Sequence, residues 1–272
     1  MLITDDFVML NFPKTGSTFA REAIKQIYTT KESKTRTLLS NFGICRPEII
    51  ELLLPHIDDD TNIIDQHGTL RQIPFEHRNK PVVSIVRNPF SRYQSIYFFR
   101  WWQQYPPTDT QVIRESFPNF PNLSFSEYYE MINNFGSESR LHGIVPKIDL
   151  GYLTIQFIQF YFKDPESILK RIDNEYIESR QFEKDLENIH FIHTENLRKE
   201  LKEYLMHVGI TQNQVDFLDS KKKANVTDRK NGILNGQDEL ITPVIENQIR
   251  EKDKLMFTIF PIYKERLAMN SE

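Results

Sequence analysis

The apolar pattern of this chain predicts an α/β fold: a single domain over residues 1–272, with an open parallel sheet flanked by helices on both faces. Three observations carry that expectation. Four short apolar runs, each bounded by polar residues or Pro, read as buried strands. Apolar residues recur at helical spacing between and after them, and such strand–helix alternation builds parallel sheets. A length of 272 residues suits one α/β domain of this kind.

The first strand is Phe7-Val-Met-Leu-Asn-Phe12, and Phe19, Ala23, Ile24, Ile27 and Tyr28 then mark a helix. The second and third are Asn62-Ile-Ile-Asp65 and Pro81-Val-Val-Ser-Ile-Val86. Asn88 and Pro89 follow the latter as an N-cap and a first helical residue. Residues 104–123, with Pro106, Pro107, Pro118 and Pro121, read as a long loop near an acceptor site. His190-Phe-Ile-His193 is the fourth strand. Leu197, Leu201, Leu205 and Val208 mark the next helix, and Val244, Ile245, Ile249 and Met256 the last. The polar stretch 221–236 reads as a mobile segment.

Composition excludes several classes. The formal charge is −4 and the pI about 6.0, which argues against a generally basic nucleic-acid binder but leaves room for a local basic pocket. The lone Cys45 excludes an internal disulfide and a cysteine-cluster zinc site. No leader and no apolar run of about 18 residues is seen, so a soluble cytoplasmic protein without a membrane span is expected. The sequons at Asn122 and Asn225 read as chance.

Two loops carry chemistry. Pro13-Lys-Thr-Gly-Ser-Thr-Phe19 joins a strand to a helix, a P-loop-like arrangement that gathers backbone N–H groups and the positive helix end into an anion site. Gly16 permits close approach, Ser17 and Thr18 add hydroxyls, and Lys14 adds a charge. A Walker A loop needs its Lys after the second Gly, whereas Lys14 precedes the only Gly. Arg87 ends the third strand in Arg87-Asn-Pro-Phe-Ser-Arg-Tyr-Gln-Ser95, at the sheet edge where α/β folds bind ligands. The plainer alternatives are a capped strand–helix turn, and surface ion pairs for Arg87 and Arg92.

Together these loops resemble the sulfotransferases that use 3′-phosphoadenosine 5′-phosphosulfate (PAPS). Residues 13–19 look like that family's 5′-phosphosulfate loop, and Arg87 with Ser95 like its 3′-phosphate motif. The resemblance implies the sulfotransferase fold. It implies that Lys14, Thr15, Gly16, Ser17 and Thr18 hold the 5′-phosphosulfate, with Phe19 near the adenine. Arg87 and Ser95 would hold the 3′-phosphate, and Arg229 and Lys230 would belong to a late basic segment closing over it. His67 would be the catalytic base beside Lys14, 20 residues before Arg87 and just after the second strand. The product is 3′-phosphoadenosine 5′-phosphate (PAP), and no metal is called for. Asp65 stands where cytosolic members often carry Lys, which tilts the likeness towards the carbohydrate-modifying branch.

The other six histidines lack a comparable placement in the sequence. The aromatic-rich stretch from Tyr97 to Tyr129 offers stacking surface for a saccharide or other small-molecule acceptor with a hydroxyl, with Arg100, Arg114, Arg140 and Lys147 as candidate anion contacts. Two rivals stay open: a P-loop nucleotide kinase or NTPase, and a non-catalytic PAP-binding protein on the same fold. Oligomeric state is not indicated.

Overall fold

The computed structural model describes residues 1–31, 42, 47–55, 64–221 and 240–264. It is an α/β protein that divides into two compact units. One comprises Met1–Arg87 with Asn188–Val226, the other Asn88–Glu187 with Thr227–Glu272.

The first unit holds a five-stranded sheet. Its strands are β1 (Leu2–Thr4), β2 (Val8–Leu10) and β3 (Ile49–Glu51), with β4 (Leu54–Pro55) and β5 (Ile64–Asp65) forming a separate pair. Then come β6 (Val82–Val86) and β7 (Ile189–His193), and the sheet order is β3-β1-β2-β6-β7. β2, β6 and β7 run parallel, with Val8 opposite Val82 and Val86 opposite His193. β1 is antiparallel to both β2 and β3, so the sheet is mixed rather than all parallel. The turn between β1 and β2 explains this: the Thr4 hydroxyl accepts from the Phe7 N–H at 3.0 Å, and the Thr4 N–H donates to the Phe7 carbonyl at 2.9 Å. Such a short connection forces antiparallel neighbours.

This arrangement corrects the place of the second expected strand. With β1 beside β2, the described part of that run, Ile64–Asp65, pairs with Leu54–Pro55 outside the main sheet.

Alternation in the strands places Leu2, Met9, Val83, Ile85 and Ile192 in one core. Phe19, Ala20, Ala23, Ile24 and Ile27 from the helix Ser17–Lys31 join them, with Leu201 and Leu205 from the helix Leu197–His207. Burying each large side chain is worth roughly 1.5–3 kcal/mol. All five residues of β6 are buried, the pattern of a strand covered on both faces.

The second unit is helical in its described residues. Asn88 caps the helix Pro89–Phe99 by accepting from the Phe90 N–H, as its sequence predicts. Arg100 ends that helix in the left-handed region, at φ 56. The stretch 104–123 is not one long loop. Asp109 accepts from the Gln111 N–H and starts the helix Thr110–Ser116, with the four prolines outside it. Phe117, Phe120 and Leu123 then bury themselves, so the stretch has a core side. No described helix is long and apolar enough to cross a membrane.

A buried polar node ties this unit together. The Asp253 carboxylate accepts from the Thr154 N–H and hydroxyl, both at 2.9 Å, and from the Tyr93 hydroxyl at 3.0 Å. Tyr93 also reaches the side-chain amide oxygen of Asn133 at 3.1 Å. A β-carbon on Gly151 would lie 2.5 Å from Asp253, so glycine is what lets this node close. Burial pushes the Asp253 carboxyl up to about 6.

Because Asp253 binds its proton more tightly when folded, its contribution to stability falls as pH rises from about 4 to 6. Asp253→Asn keeps the acceptor for Thr154 and donates to Tyr93, whose own proton then serves Asn133. The gap in melting temperature between wild type and this variant is therefore expected to shrink or reverse between pH 4 and pH 7. Thermal melts across that range check it, and a constant gap contradicts it.

Candidate functional site

Parallel pairing brings three strand ends to one edge of the sheet, after Leu10, Val86 and His193. The loop leaving β2 is pinned there from several sides. The Thr15 hydroxyl donates to the Phe12 carbonyl at 2.8 Å, and the Ser17 hydroxyl reaches the same oxygen at 3.3 Å. The Thr194 hydroxyl, just past β7, lies 2.6 Å from the Thr15 carbonyl oxygen and 2.9 Å from that of Val86. An Arg87 N–H donates to the Lys14 carbonyl at 3.3 Å.

Lys14 and Gly16 both have positive φ, 63 and 86 respectively. Left-handed residues this close curl a backbone into the kind of concavity that binds anions. Only glycine sits comfortably at position 16. Its φ strains any side chain, and an added β-carbon would lie 3.1 Å from the Leu197 methyl. The helix Ser17–Lys31 begins here; the Phe19 N–H donates to the Gly16 carbonyl at 3.0 Å, and the N–H groups before it lack intrahelical acceptors.

The donors of this loop differ from those expected. Thr15 is fully buried and Ser17 nearly so, and both hydroxyls serve the loop itself. What these residues can offer an anion is their amides, while half-buried Thr18 adds a hydroxyl. Phe19 is not an open stacking surface. It is 5 % exposed in the core, with the Arg198 guanidinium 5.8 Å from its ring centroid.

Lys14 is half-buried, and its ammonium is pushed down to about 8, first by desolvation and then by the Arg87 charge. Two cations held close in a partly desolvated place repel each other, and an anion between them would relieve that repulsion.

His67 reaches this edge by a route that the sequence hid. Its N–H donates to the Asp65 carboxylate at 2.6 Å, and its Nδ1 lies 2.6 Å from the Asn11 carbonyl oxygen. A carbonyl only accepts, so Nδ1 carries a proton, and in the neutral ring Nε2 holds the lone pair. Asn11 is fully buried, directly after β2 and three residues before Lys14, and its side-chain amide donates to the Gln66 carbonyl at 3.3 Å. Asn11 is thus the positioning residue that sequence reasoning missed.

The remaining candidate residues fall as follows. Ser95 is half-buried in the helix Pro89–Phe99 of the second unit. Arg92 is fully buried in that same unit, away from the surface, and donates to Gln156. Arg140 is buried against Gln159 and the Tyr152 ring, and Lys147 pairs with Asp173. Arg229 and Lys230 lie outside the described residues. A second histidine, His193, does stand at the strand edge, held by Glu200 on both its N–H (2.6 Å) and its Nδ1 (3.0 Å). Among known proteins, no family model, curated protein or solved structure matches this chain.

Lys14 loses its charge as pH passes about 8, so anion affinity falls above that value. Pyrophosphate titrated by calorimetry is expected to bind more weakly at pH 9 than at pH 7. Lys14→Arg, which stays protonated, is expected to flatten the profile. Gly16→Ala should lower the melting temperature by several degrees, since a left-handed residue with a side chain costs about 1–2 kcal/mol.

Proposed function

We propose that this protein transfers a sulfuryl group from PAPS to an acceptor hydroxyl, the acceptor being a saccharide. The observation that carries the reading is the hydrogen bond between His67 Nδ1 and the carbonyl of Asn11, which readies Nε2 as a base and ties it to a residue three positions before Lys14 of the anion loop. The donor set fits a phosphosulfate: a half-buried lysine, the first-turn amides of a helix, and a guanidinium next to them.

PAPS, when bound, supplies the sulfuryl group and leaves as PAP. His67 Nε2 takes the proton of the attacking hydroxyl as the oxygen–sulfur bond forms. Lys14 and the amides of residues 15–18 stabilise the negative charge that grows on the bridging oxygen as its bond to sulfur breaks. Such donors act strongly because the loop is already pinned by Thr194, Phe12 and Arg87. Arg87 serves the 3′-phosphate in this reading.

His67→Ala is expected to cut turnover by at least 100-fold while PAP affinity, read by calorimetry, changes less than threefold. His193→Ala, with that histidine already committed to Glu200, is expected to stay within about tenfold of wild type. Equal losses in the two variants would overturn the assignment of the base. Arg87→Ala should weaken PAP by about tenfold or more and ADP much less. Preference for ATP with Mg²⁺ over PAP would instead favour a nucleotide kinase.

A further inference from the structure

One hydroxyl in the first unit touches two chain exits at once. Thr194 Oγ1 lies 2.6 Å from the Thr15 carbonyl oxygen and 2.9 Å from that of Val86, and all three residues belong to that unit. The direction in which it holds the Thr15 carbonyl bears on what the loop can bind. A trans peptide is planar, so its carbonyl and its N–H point opposite ways. The Thr15 carbonyl shares its peptide with the Gly16 N–H. Tying that oxygen to Thr194 therefore turns the Gly16 N–H to the other side. Among the described residues this N–H meets no acceptor, and Gly16 is half-buried rather than closed off.

Neighbouring carbonyls are tied back in the same manner. Arg87 donates to that of Lys14, and the Thr15 and Ser17 hydroxyls to that of Phe12. The Thr15–Gly16 peptide is nevertheless the one most easily reversed. A half-turn of this peptide changes mainly the ψ of Thr15 and the φ of Gly16. Gly16 sits at φ 86, and the reversed peptide would take it to negative φ, the exchange that relates two common turn types. Glycine adopts both signs at little cost. Reversed, the peptide would present an oxygen where an anion needs a donor.

We propose that Thr194 is the positioning residue that locks the Thr15–Gly16 peptide in its anion-receiving orientation. Its second contact, with the carbonyl directly before Arg87, fixes that lock to the strand whose end carries the guanidinium. The loop's competence is thus set by a residue just past Ile189–His193, a strand far along the chain from the loop. This deepens the site of the proposed transfer, and like that reading it rests on the loop receiving an anion.

Pyrophosphate and PAP titrated into the full chain by calorimetry test the lock, together with NMR of protein labelled with ¹⁵N-glycine. The nine glycines give few resonances, and that of Gly16 is identified by its loss in Gly16→Ala. In the wild type the Gly16 amide proton is expected to move downfield as pyrophosphate saturates the site. Thr194→Val keeps the methyl that faces Gly16 and removes the hydroxyl. It is expected to weaken pyrophosphate tenfold or more, because apparent affinity falls with the fraction of competent protein, and to shrink the Gly16 shift. Thr194→Ser, which retains the hydroxyl, is expected to stay within threefold of wild type. Unchanged pyrophosphate affinity in Thr194→Val overturns the lock. A tenfold loss in Thr194→Ser overturns it too, as does bound pyrophosphate that leaves the wild-type Gly16 amide unmoved; these two outcomes decide even where Thr194→Val does not fold. A wild type that binds no pyrophosphate also overturns it. PAP separates the two readings. The Thr194 effect on pyrophosphate without preference for PAP over ADP upholds the lock and overturns sulfuryl transfer, whereas preference for PAP that is indifferent to Thr194→Val overturns the lock alone.

Discussion

Parallel pairing of Val8–Leu10, Val82–Val86 and Ile189–His193 is the constraint on which the rest of the site depends. It delivers three chain exits to one edge, and the groups there then bind one another. Thr194, just past the strand Ile189–His193, sits within hydrogen-bond distance of carbonyls from the other two exits. Arg87 holds the Lys14 carbonyl, and Asn11 orients His67. Each of these contacts joins residues at least 56 positions apart. None would form if the register slipped by one residue, since every side chain would then change face.

The same edge is electrostatically tense. Lys14 and Arg87 are drawn together by hydrogen bonds that fix the loop, not by attraction between their charges. Hydroxyls that could have served a ligand instead brace the backbone, which leaves amides and cations as the binding groups. Preorganisation of this kind is how a small loop acts strongly on developing charge. The helical unit follows another logic: its buried Asp253 is matched by Thr154 and Tyr93 and serves packing.

Much was legible in the sequence because the signals are local. Apolar runs marked the strands at 8–10, 82–86 and 189–193, and spacing marked the helices Ser17–Lys31 and Leu197–His207. Asn88 and Pro89 announced their helix by cap chemistry alone. The Pro-rich stretch 104–123 misled, because prolines flanking a helix look in sequence much like prolines in a loop. β1 escaped notice because three residues are too few to show a period.

The sequence by itself determined the α/β class, the strand–loop–helix around Lys14 and Gly16, and the candidate residues His67 and Arg87. Propensity, capping and turn chemistry act over a few residues and so are written in order along the chain. The tertiary structure decided that the sheet is mixed, that Ile64–Asp65 pairs outside it, that Phe19 belongs to the core and that Asn11 sets the tautomer of His67. Those outcomes follow from which distant backbone groups find each other, and no local pattern of side chains encodes that choice.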